Sequence, residues 1–155
     1  MKNILGPTDF SECAQNAARA AMQLAAKAHA SVHFLHIMPE NDGPGHVPHS
    51  GHAPVQNTRK GRAQNELNLL VSKASQLGVS ATPSLVFDKG NERIENYCKS
   101  LDIDLIVMGS HGATGIRELV IGSNTQRVVR HADVPVLVVK RPIIDQFKIE
   151  NIVFA

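Results

Sequence analysis

The stretch Leu105-Ile106-Val107-Met108-Gly109-Ser110-His111-Gly112 joins a run of four apolar residues to a glycine-rich turn. Consecutive apolar residues without alternating polar positions are typical of a strand that is covered on both faces. Such strands occur in parallel sheets with helices packed on either side, and the glycine turn marks the place where the chain leaves the sheet. This stretch therefore predicts an α/β fold.

The alternation of apolar runs and helical periodicity extends to both sides of this stretch. Further short apolar runs predict strands at 4–5, 32–38, 84–87 and 136–139. Gly6-Pro7 and Pro39 are expected to end the first two of them. Helical spacing predicts helices from the turn Thr8-Asp9-Phe10-Ser11 to Ala28, and over 59–77, 91–100 and 123–131. Five strands alternating with four helices predict a doubly wound parallel sheet with right-handed crossovers.

The composition is that of one globular domain, and it excludes several classes of partner. The chain has 155 residues, of which 43% are hydrophobic and 19% charged, and its formal net charge is +2. A charge this small, with one Tyr and no Trp, argues against a nucleic-acid surface, and no apolar run is long enough for a membrane span. Cys13 and Cys98 form no C-x-x-C motif, and the N-terminus does not resemble a signal peptide. We therefore predict two reduced thiols and a cytoplasmic protein.

The domain is expected to cover residues 1–142, with a C-terminal extension at 143–155. Glu150-Asn151-Ile152-Val153 echoes Lys2-Asn3-Ile4-Leu5, which suggests a linker and the first strand of a truncated second domain. The alternative interpretation is an edge strand or a coincidence. Within the domain, the segment 39–58 is rich in proline and glycine and is predicted to be a surface loop. It contains three histidines but no carboxylate or cysteine between them, so we predict no metal site.

The glycine turn and the helix after it have the features of an anion cradle. Glycines let the backbone approach a phosphate closely, and a helix N-terminus offers N–H groups and a positive dipole end. Gly122 precedes the fourth helix, and its first turn adds the polar side chains of Ser123, Asn124 and Thr125. Neither the P-loop pattern nor G-x-G-x-x-G is present. The alternative interpretation is a glycine-rich turn with a capped helix that binds no ligand.

The spacing Gly109-x2-Gly112-x9-Gly122-Ser123 resembles the nucleotide-binding signature of the universal stress protein family. The resemblance extends over nearly the whole chain, through the segments 3–11, 35–37, 104–109 and 131–139. It implies a three-layer, five-stranded parallel sheet of the adenine nucleotide α-hydrolase-like type, with strand order 3-2-1-4-5. It also implies ATP, with Mg²⁺, across the strand ends, and a homodimer or tandem pseudo-dimer joined through the fifth strand.

Carried over residue by residue, the resemblance gives each candidate site residue a role. Asp9 would contact the nucleoside, with Pro7 and Thr8 beside it, although Asp9 would equally suit the cap of the first helix. Ile37 would line the adenine pocket, and Met108 would close it. The residues around the ribose and phosphates would be Gly109, Ser110, His111, Gly112, Gly122, Ser123, Asn124 and Thr125. Gly6 and Asn124 depart from the usual pattern, in which Val and a small apolar residue are common.

The function that follows is an ATP-binding sensor or regulatory module of the stress response, with at most slow ATP hydrolysis. Phosphoryl transfer needs charge neutralisation and an oriented nucleophile. Near the glycine turn the sequence offers Arg117, Arg127 and Asp9, but no evident general base or metal-binding carboxylate pair. Two alternatives stay open: an ATP-cleaving enzyme of the same fold, and a dimerising scaffold that does not depend on nucleotide.

Overall fold

The fold is a single parallel sheet with helices on both faces, seen in a computed structural model that describes residues 1–40, 59–88, 93–111 and 122–140. In chain order the elements are β1 Asn3–Pro7, α1 Glu12–Ala28, β2 Ser31–Pro39, α2 Arg59–Gln76, β3 Ala81–Asp88, the 3₁₀ turn Ile94–Asn96 leading into α3 Tyr97–Ser100, β4 Leu105–Gly109, α4 Ser123–His131 and β5 Val136–Val139. The strand order is β3-β2-β1-β4-β5, and every pairing is parallel. The predicted fold class and strand order are confirmed.

The two faces of the sheet are covered by different pairs of helices. Ala21 of α1 and Leu67 of α2 belong to one buried cluster, on the face to which Phe34 of β2 points. Cys98 of α3 and Val128 of α4 belong to a second cluster on the opposite face. The chain therefore winds from β1 to β3 over one face and returns through β4 and β5 over the other. The strand order reverses between β1 and β4, where ligands bind in such sheets.

Helix α1 is held close to the sheet because its buried face consists mainly of small residues. Ala17, Ala20, Ala21 and Ala25 are at most 1% exposed. The helix begins after Ser11, whose hydroxyl accepts a hydrogen bond from the Ala14 N–H at 3.3 Å. This is an N-cap of the kind predicted from the turn before the helix. Alanine side chains leave room for the helix backbone to approach the strands, which matters at the end of β4.

The first two strands end at the predicted prolines, although each strand includes its proline. β1 continues through Gly6 and ends at Pro7, and β2 ends at Pro39. β3 begins at Ala81 rather than at 84, and Pro83 lies within it. Pro39 is the last residue of β2, beyond the part of that strand that pairs with β1. Pro83 is on an outer strand of the described sheet, where a missing N–H need not break a ladder.

The other boundaries agree closely with the sequence. α4 and β5 have the predicted bounds, and α2 ends one residue early, with Gly78 in the left-handed conformation at φ +69°. The helix predicted at 91–100 is a 3₁₀ turn followed by α3, and residues 91 and 92 lie outside the described chain. The loop 41–58 with its histidines and the extension 143–155 also lie outside it.

The two cysteines are free thiols, and both are buried. Burial raises the pKa of the Cys98 thiol, and the nearby carboxylates of Glu95 and Asp133 raise it further. The thiols therefore belong to the packed interior rather than to an exposed reactive site.

In the described part of the chain, no helix is long and apolar enough to cross a membrane.

Gly109, the last residue of β4, lies against the backbone of Cys13 in the first turn of α1. A Cβ built on Gly109 would stand 3.0 Å from the Cys13 carbonyl carbon and 3.0 Å from its Sγ. That separation is tighter than nine in ten real Cβ contacts, so a neighbouring atom would have to shift by a few tenths of an ångström. The contact involves backbone as well as side chain, so a rotamer change alone cannot relieve it. Glycine is therefore favoured here by packing rather than by a left-handed conformation.

Replacing Gly109 by Ala is expected to lower the free energy of unfolding by about 1–3 kcal/mol, the usual range for overpacking a dense core. Urea denaturation followed by circular dichroism would measure it. Gly6→Ala is the matched control, because its Cβ would meet the Phe34 ring at 3.2 Å, and a side chain can shift. Equal stability of the two variants would contradict the proposed backbone clash.

Asp104 joins β1 and β4 at the edge of the sheet opposite to their carboxyl ends. Its Oδ2 accepts hydrogen bonds from the backbone N–H groups of Lys2 and of Asn3, the latter at 3.0 Å. These two hydrogen bonds lower the pKa of the Asp104 carboxyl below its ordinary value of 3.8. The folded state therefore favours the ionised carboxylate, and the stabilisation is present above the ordinary pKa.

Asp104→Asn is expected to lower the melting temperature at neutral pH, since an amide accepts these hydrogen bonds less strongly than a carboxylate. The difference from the wild type should shrink as the pH falls through the lowered pKa of the folded state, because the wild-type carboxyl then becomes neutral as well. Thermal melts between pH 7 and pH 2.5 would measure this. Asp102→Asn is the control; an equal pH-dependent loss there would contradict the assignment.

Candidate functional site

A cleft of about 380 Å³ opens at the carboxyl ends of β1 to β4, next to the first turn of α4. It lies where the strand order reverses, as expected for a doubly wound sheet. Its volume falls within the range of roughly 300–1,000 Å³ that is usual for small-molecule sites. The described residues that line it are Pro7, Thr8, Asp9, Ala14, Leu35, His36, Ile37, Asp88, Ile94, Met108, Gly109, His111, Gly122, Ser123, Asn124, Thr125 and Arg127.

The turn that follows β1 is fixed to the end of β2. The Thr8 N–H donates to the Leu35 carbonyl at 2.9 Å, and His36 Nδ1 donates to the Thr8 carbonyl at 2.7 Å. A carbonyl oxygen can only accept, so this contact requires the hydrogen of His36 to be on Nδ1. Phe10 has φ +64°, and its ring centroid is 4.4 Å from that of His36. These contacts fix the backbone on either side of Asp9.

Asp9 is exposed on the cleft wall and also takes part in the turn. Its Oδ1 accepts hydrogen bonds from the Ser11 N–H at 3.1 Å and from the Ser11 hydroxyl at 2.6 Å. The cap of α1 itself is Ser11. The two roles considered for Asp9 are therefore compatible, because one carboxylate oxygen orients the turn while the side chain still borders the cleft.

The end of β4 is tied to β5 by one hydrogen bond and to the N-terminus of α4 by two. The Ser110 N–H donates to the Val139 carbonyl at 3.0 Å, and the Gly122 N–H donates to the Ser110 carbonyl at 2.8 Å. The hydroxyl of Thr125, which is buried, donates to the Gly109 carbonyl at 2.9 Å. The first turn of α4 contains no acidic residue. Its positive dipole end therefore borders the cleft without a carboxylate of its own.

The predicted site residues that the structure describes line this cleft, with the exception of Ser110. The Ser110 side chain is buried, and its hydroxyl lies 2.9 Å from His111 Nδ1 and 3.7 Å from Cys13 Sγ. Ser110 therefore packs against α1 rather than bordering the cleft. The hydroxyl of Thr125, expected to face a ligand, is committed to the Gly109 carbonyl. Gly112 lies outside the described residues.

Several lining residues had no assigned role in the sequence. His36 is one of them: it borders the cleft, and its ring holds the Thr8 carbonyl. Asp88 and Ile94 were not singled out. Asp88 is the last residue of β3, so the rule that ligands bind beyond the carboxyl ends of parallel strands could have found it. Ile94 could not be found in this way, because the segment before α3 follows no strand pattern.

The acidic and basic side chains around the cleft come from different elements. Asp9 follows β1 and Asp88 is the last residue of β3, whereas Arg127 is on α4. Arg127 is the one Lys or Arg among the described lining residues, and its Nε lies 3.5 Å from Glu95 Oε1. The strand ends therefore contribute carboxylates, and α4 contributes a helix N-terminus and a guanidinium.

Comparison with known proteins shows the same architecture over the full domain. The sequence model of the universal stress protein family matches residues 1–140. Universal stress protein MJ0531 of Methanocaldococcus jannaschii is 29% identical over 141 residues, which are 91% of this chain and 83% of the relative. The solved structure of MJ0577, from the same organism, has a TM-score of 0.74 and 29% identity, and the match covers 92% of this chain and 97% of that one.

More distant universal stress proteins share the fold, and two of them were solved with nucleotides. One is a complex with cAMP, at 19% identity and TM-score 0.65, over 90% of this chain and 96% of that one. The other is an Archaeoglobus fulgidus protein with dAMP, at 22% identity and TM-score 0.64, over 90% and 98%. The family model covers nearly all of the described domain, and the strand order matches that of the solved universal stress proteins. The chain belongs to the universal stress protein family.

Proposed function

We propose that this protein is an ATP-binding regulatory module of the stress response. The observation that carries the proposal is the division of charge in the cleft lining, with carboxylates from the strand ends and the helix N-terminus and Arg127 from α4. A nucleoside triphosphate has the matching polarity, since its ribose carries hydroxyl donors and its phosphates are anionic. ATP is therefore expected to lie along the cleft with its phosphates at α4.

The phosphate end is supported by backbone geometry. The first N–H groups of a helix have no partner within the helix, and they point along the axis toward a ligand. Gly122 lies at the N-cap of α4 without a side chain, and Ser123 and Asn124 are exposed beside it. The end of the cleft at α4 therefore suits phosphate oxygens.

The nucleoside end is supported by apolar walls beside a carboxylate. Leu35 and Ile37 of β2 and Met108 of β4 border the cleft and can cover the faces of a base. Asp9 can accept a hydrogen bond from a ribose hydroxyl, because a carboxylate accepts at two oxygens. The related proteins solved with cAMP and dAMP carry adenine nucleotides, which favours adenine as the base.

Mg²⁺ is expected to enter with the nucleotide rather than to occupy a site of its own. In the described part of the chain, no group of three or more His, Cys, Asp or Glu residues could hold a metal ion. Mg²⁺ usually binds through phosphate oxygens, water and one or two carboxylates. The phosphates are expected at α4 and Asp9 beside the ribose, so phosphate oxygens and water would supply the coordination of Mg²⁺.

The arrangement favours binding over rapid hydrolysis. Rapid phosphoryl transfer needs an oriented nucleophile and neutralisation of the charge that develops. Among the described lining residues Arg127 is the one Lys or Arg, and its Nε lies 3.5 Å from Glu95 Oε1, so no second cation lines the described cleft to neutralise that charge. A regulatory module that holds ATP and turns it over slowly agrees with such a site.

A thermal-shift titration with ATP, ADP, AMP and GTP, each with and without Mg²⁺, tests this function. A ligand that binds the native state raises the melting temperature by mass action, with about 2.7 kcal/mol of stabilisation at a hundred times its Kd. ATP is expected to raise it most, and GTP least. No shift with any adenine nucleotide would refute the proposal, and rapid stoichiometric phosphate release would favour the enzyme instead.

Gly122→Val is the matched control for this titration. Gly122 has φ −61° and ψ 149°, which any residue can adopt, so the substitution adds bulk at the cleft without backbone strain. The variant is expected to keep the melting temperature of the free protein within a few degrees and to lose most of the ATP-induced shift. An undiminished shift would place the nucleotide elsewhere.

We also propose that the protein forms a homodimer through β5. Among the described strands, β5 lies at one edge of the sheet, and Val138 on it is half-buried. An outer strand carries unpaired backbone groups that can pair with a second chain.

Sedimentation velocity is expected to show a dimer for the wild type and a monomer for Val138→Glu, because the new carboxylate would be buried in the interface. Thr82→Glu on the opposite outer strand β3 should leave the dimer intact; a monomeric wild type would contradict this assembly.

A further inference from the structure

Arg127 and Glu95 form an ion pair at the wall of the cleft. Arg127 Nε lies 3.5 Å from Glu95 Oε1, and the two side chains are 32% and 11% exposed. Glu95 is in the 3₁₀ turn before α3, so the pair joins that turn to α4. A charge as buried as that of Glu95 requires a partner, because desolvation without compensation is costly.

The pair is a single loose contact and not a two-bond fork. Glu95 Oε2 and Arg127 Nε are both buried, and neither makes a hydrogen bond with the described residues. A guanidinium has five N–H donors, and Arg–carboxylate pairs commonly use two of them in parallel. Since Nε is buried, the exposed third of the side chain belongs to its other atoms. Arg127 thus has donor capacity left on the side that borders the cleft.

The position of Arg127 on α4 directs it toward the anion end of the cleft. It is four residues after Ser123, so both lie on the same face of the helix. Helical side chains lean toward the N-terminus and cover the preceding turn. The guanidinium therefore reaches back toward the first turn of α4, where the phosphates are expected. Its planar geometry suits phosphate oxygens better than an ammonium does.

We propose that Arg127 binds the terminal phosphates of the nucleotide and that Glu95 limits the strength of that contact as a built-in counter-charge. This inference rests on the proposed function, because it assigns a ligand contact within the same cleft. Without nucleotide, Glu95 holds the guanidinium. With nucleotide, Glu95 and the phosphates interact with the same cation, and the negative charge of Glu95 opposes the phosphates.

The proposal predicts opposite effects for two substitutions that each remove one charge of the pair. Arg127→Gln removes the cation and leaves the largely buried Glu95 carboxylate without its partner. Its ATP affinity is expected to fall roughly tenfold, the equivalent of one charge-assisted hydrogen bond. Glu95→Gln removes the opposing charge while its amide oxygen can still accept from Arg127. Its ATP affinity is expected to rise about threefold, a modest change for one partly screened charge.

Isothermal titration of the full chain with adenosine, AMP, ADP and ATP measures these effects. Adenosine lacks phosphate, so both variants should bind it within about twofold of the wild type, the size of effect expected when no charge contact changes. Arg130→Gln is the control, since it removes an exposed cation from the same helix outside the described cleft lining. Its ATP affinity should stay close to that of the wild type. Melting temperatures of the free variants verify that each one folds.

The outcomes separate this inference from the function on which it rests. Opposite changes in ATP affinity with unchanged adenosine binding would support the counter-charge. If both variants lost ATP and adenosine binding to the same extent, the pair would only hold the 3₁₀ turn against α4, and the inference would be overturned. An Arg127→Gln variant with wild-type ATP affinity would overturn it as well. A wild-type protein that binds none of the four ligands would instead refute the proposed function.

Discussion

The first turn of α1 approaches the end of β4 so closely that even a methyl group on Gly109 would stand 3.0 Å from the Cys13 backbone. The Cys13 thiol lies in hydrogen-bonding range of the Val139 carbonyl, at 3.4 Å, and the same carbonyl accepts the Ser110 N–H at 3.0 Å. A helix start and the ends of two strands thus meet at one place. The loop leading toward α4 begins there, so the position of the cleft depends on this contact. The alanine face of α1 is what makes the close approach sterically possible.

Around this contact, hydrogen bonds within the protein use many of the polar groups that a ligand would otherwise meet. The Thr125 hydroxyl is committed to the Gly109 carbonyl, and His36 to the Thr8 carbonyl. Each of these bonds is local in space but joins different elements of the sheet and helices. Carboxylates at the strand ends and the positive N-terminus of α4 differ in charge, and this difference would orient a bound ligand. A ligand with one polar, uncharged end and one anionic end fits this difference in charge.

The sequence was sufficient to predict the order of strands and helices, because a short continuous apolar run marks a buried strand and apolar residues at helical spacing mark a helix. It placed the start of β3 after Pro83 rather than at Ala81, since the cost of a proline depends on which neighbours a strand has, and neighbours are a property of the sheet. It singled out the glycine turn and Asp9, because glycines permit a close backbone approach and a carboxylate accepts hydrogen bonds. It could not distinguish the inward hydroxyl of Ser110 from the exposed one of Ser123, because orientation is decided by packing against Cys13.

The walls of the cleft come from segments that are far apart along the chain: the turn after β1, the ends of β2 and β3, the 3₁₀ turn and the start of α4. No fragment of the protein contains a usable part of the site. Parallel pairing must close long loops before any of these segments meet, which makes folding comparatively slow. A nucleotide that binds as proposed would therefore recognise only the completed domain. Its concentration would act on the lifetime of the folded protein, which would link the abundance of the protein in a cell to the supply of nucleotide.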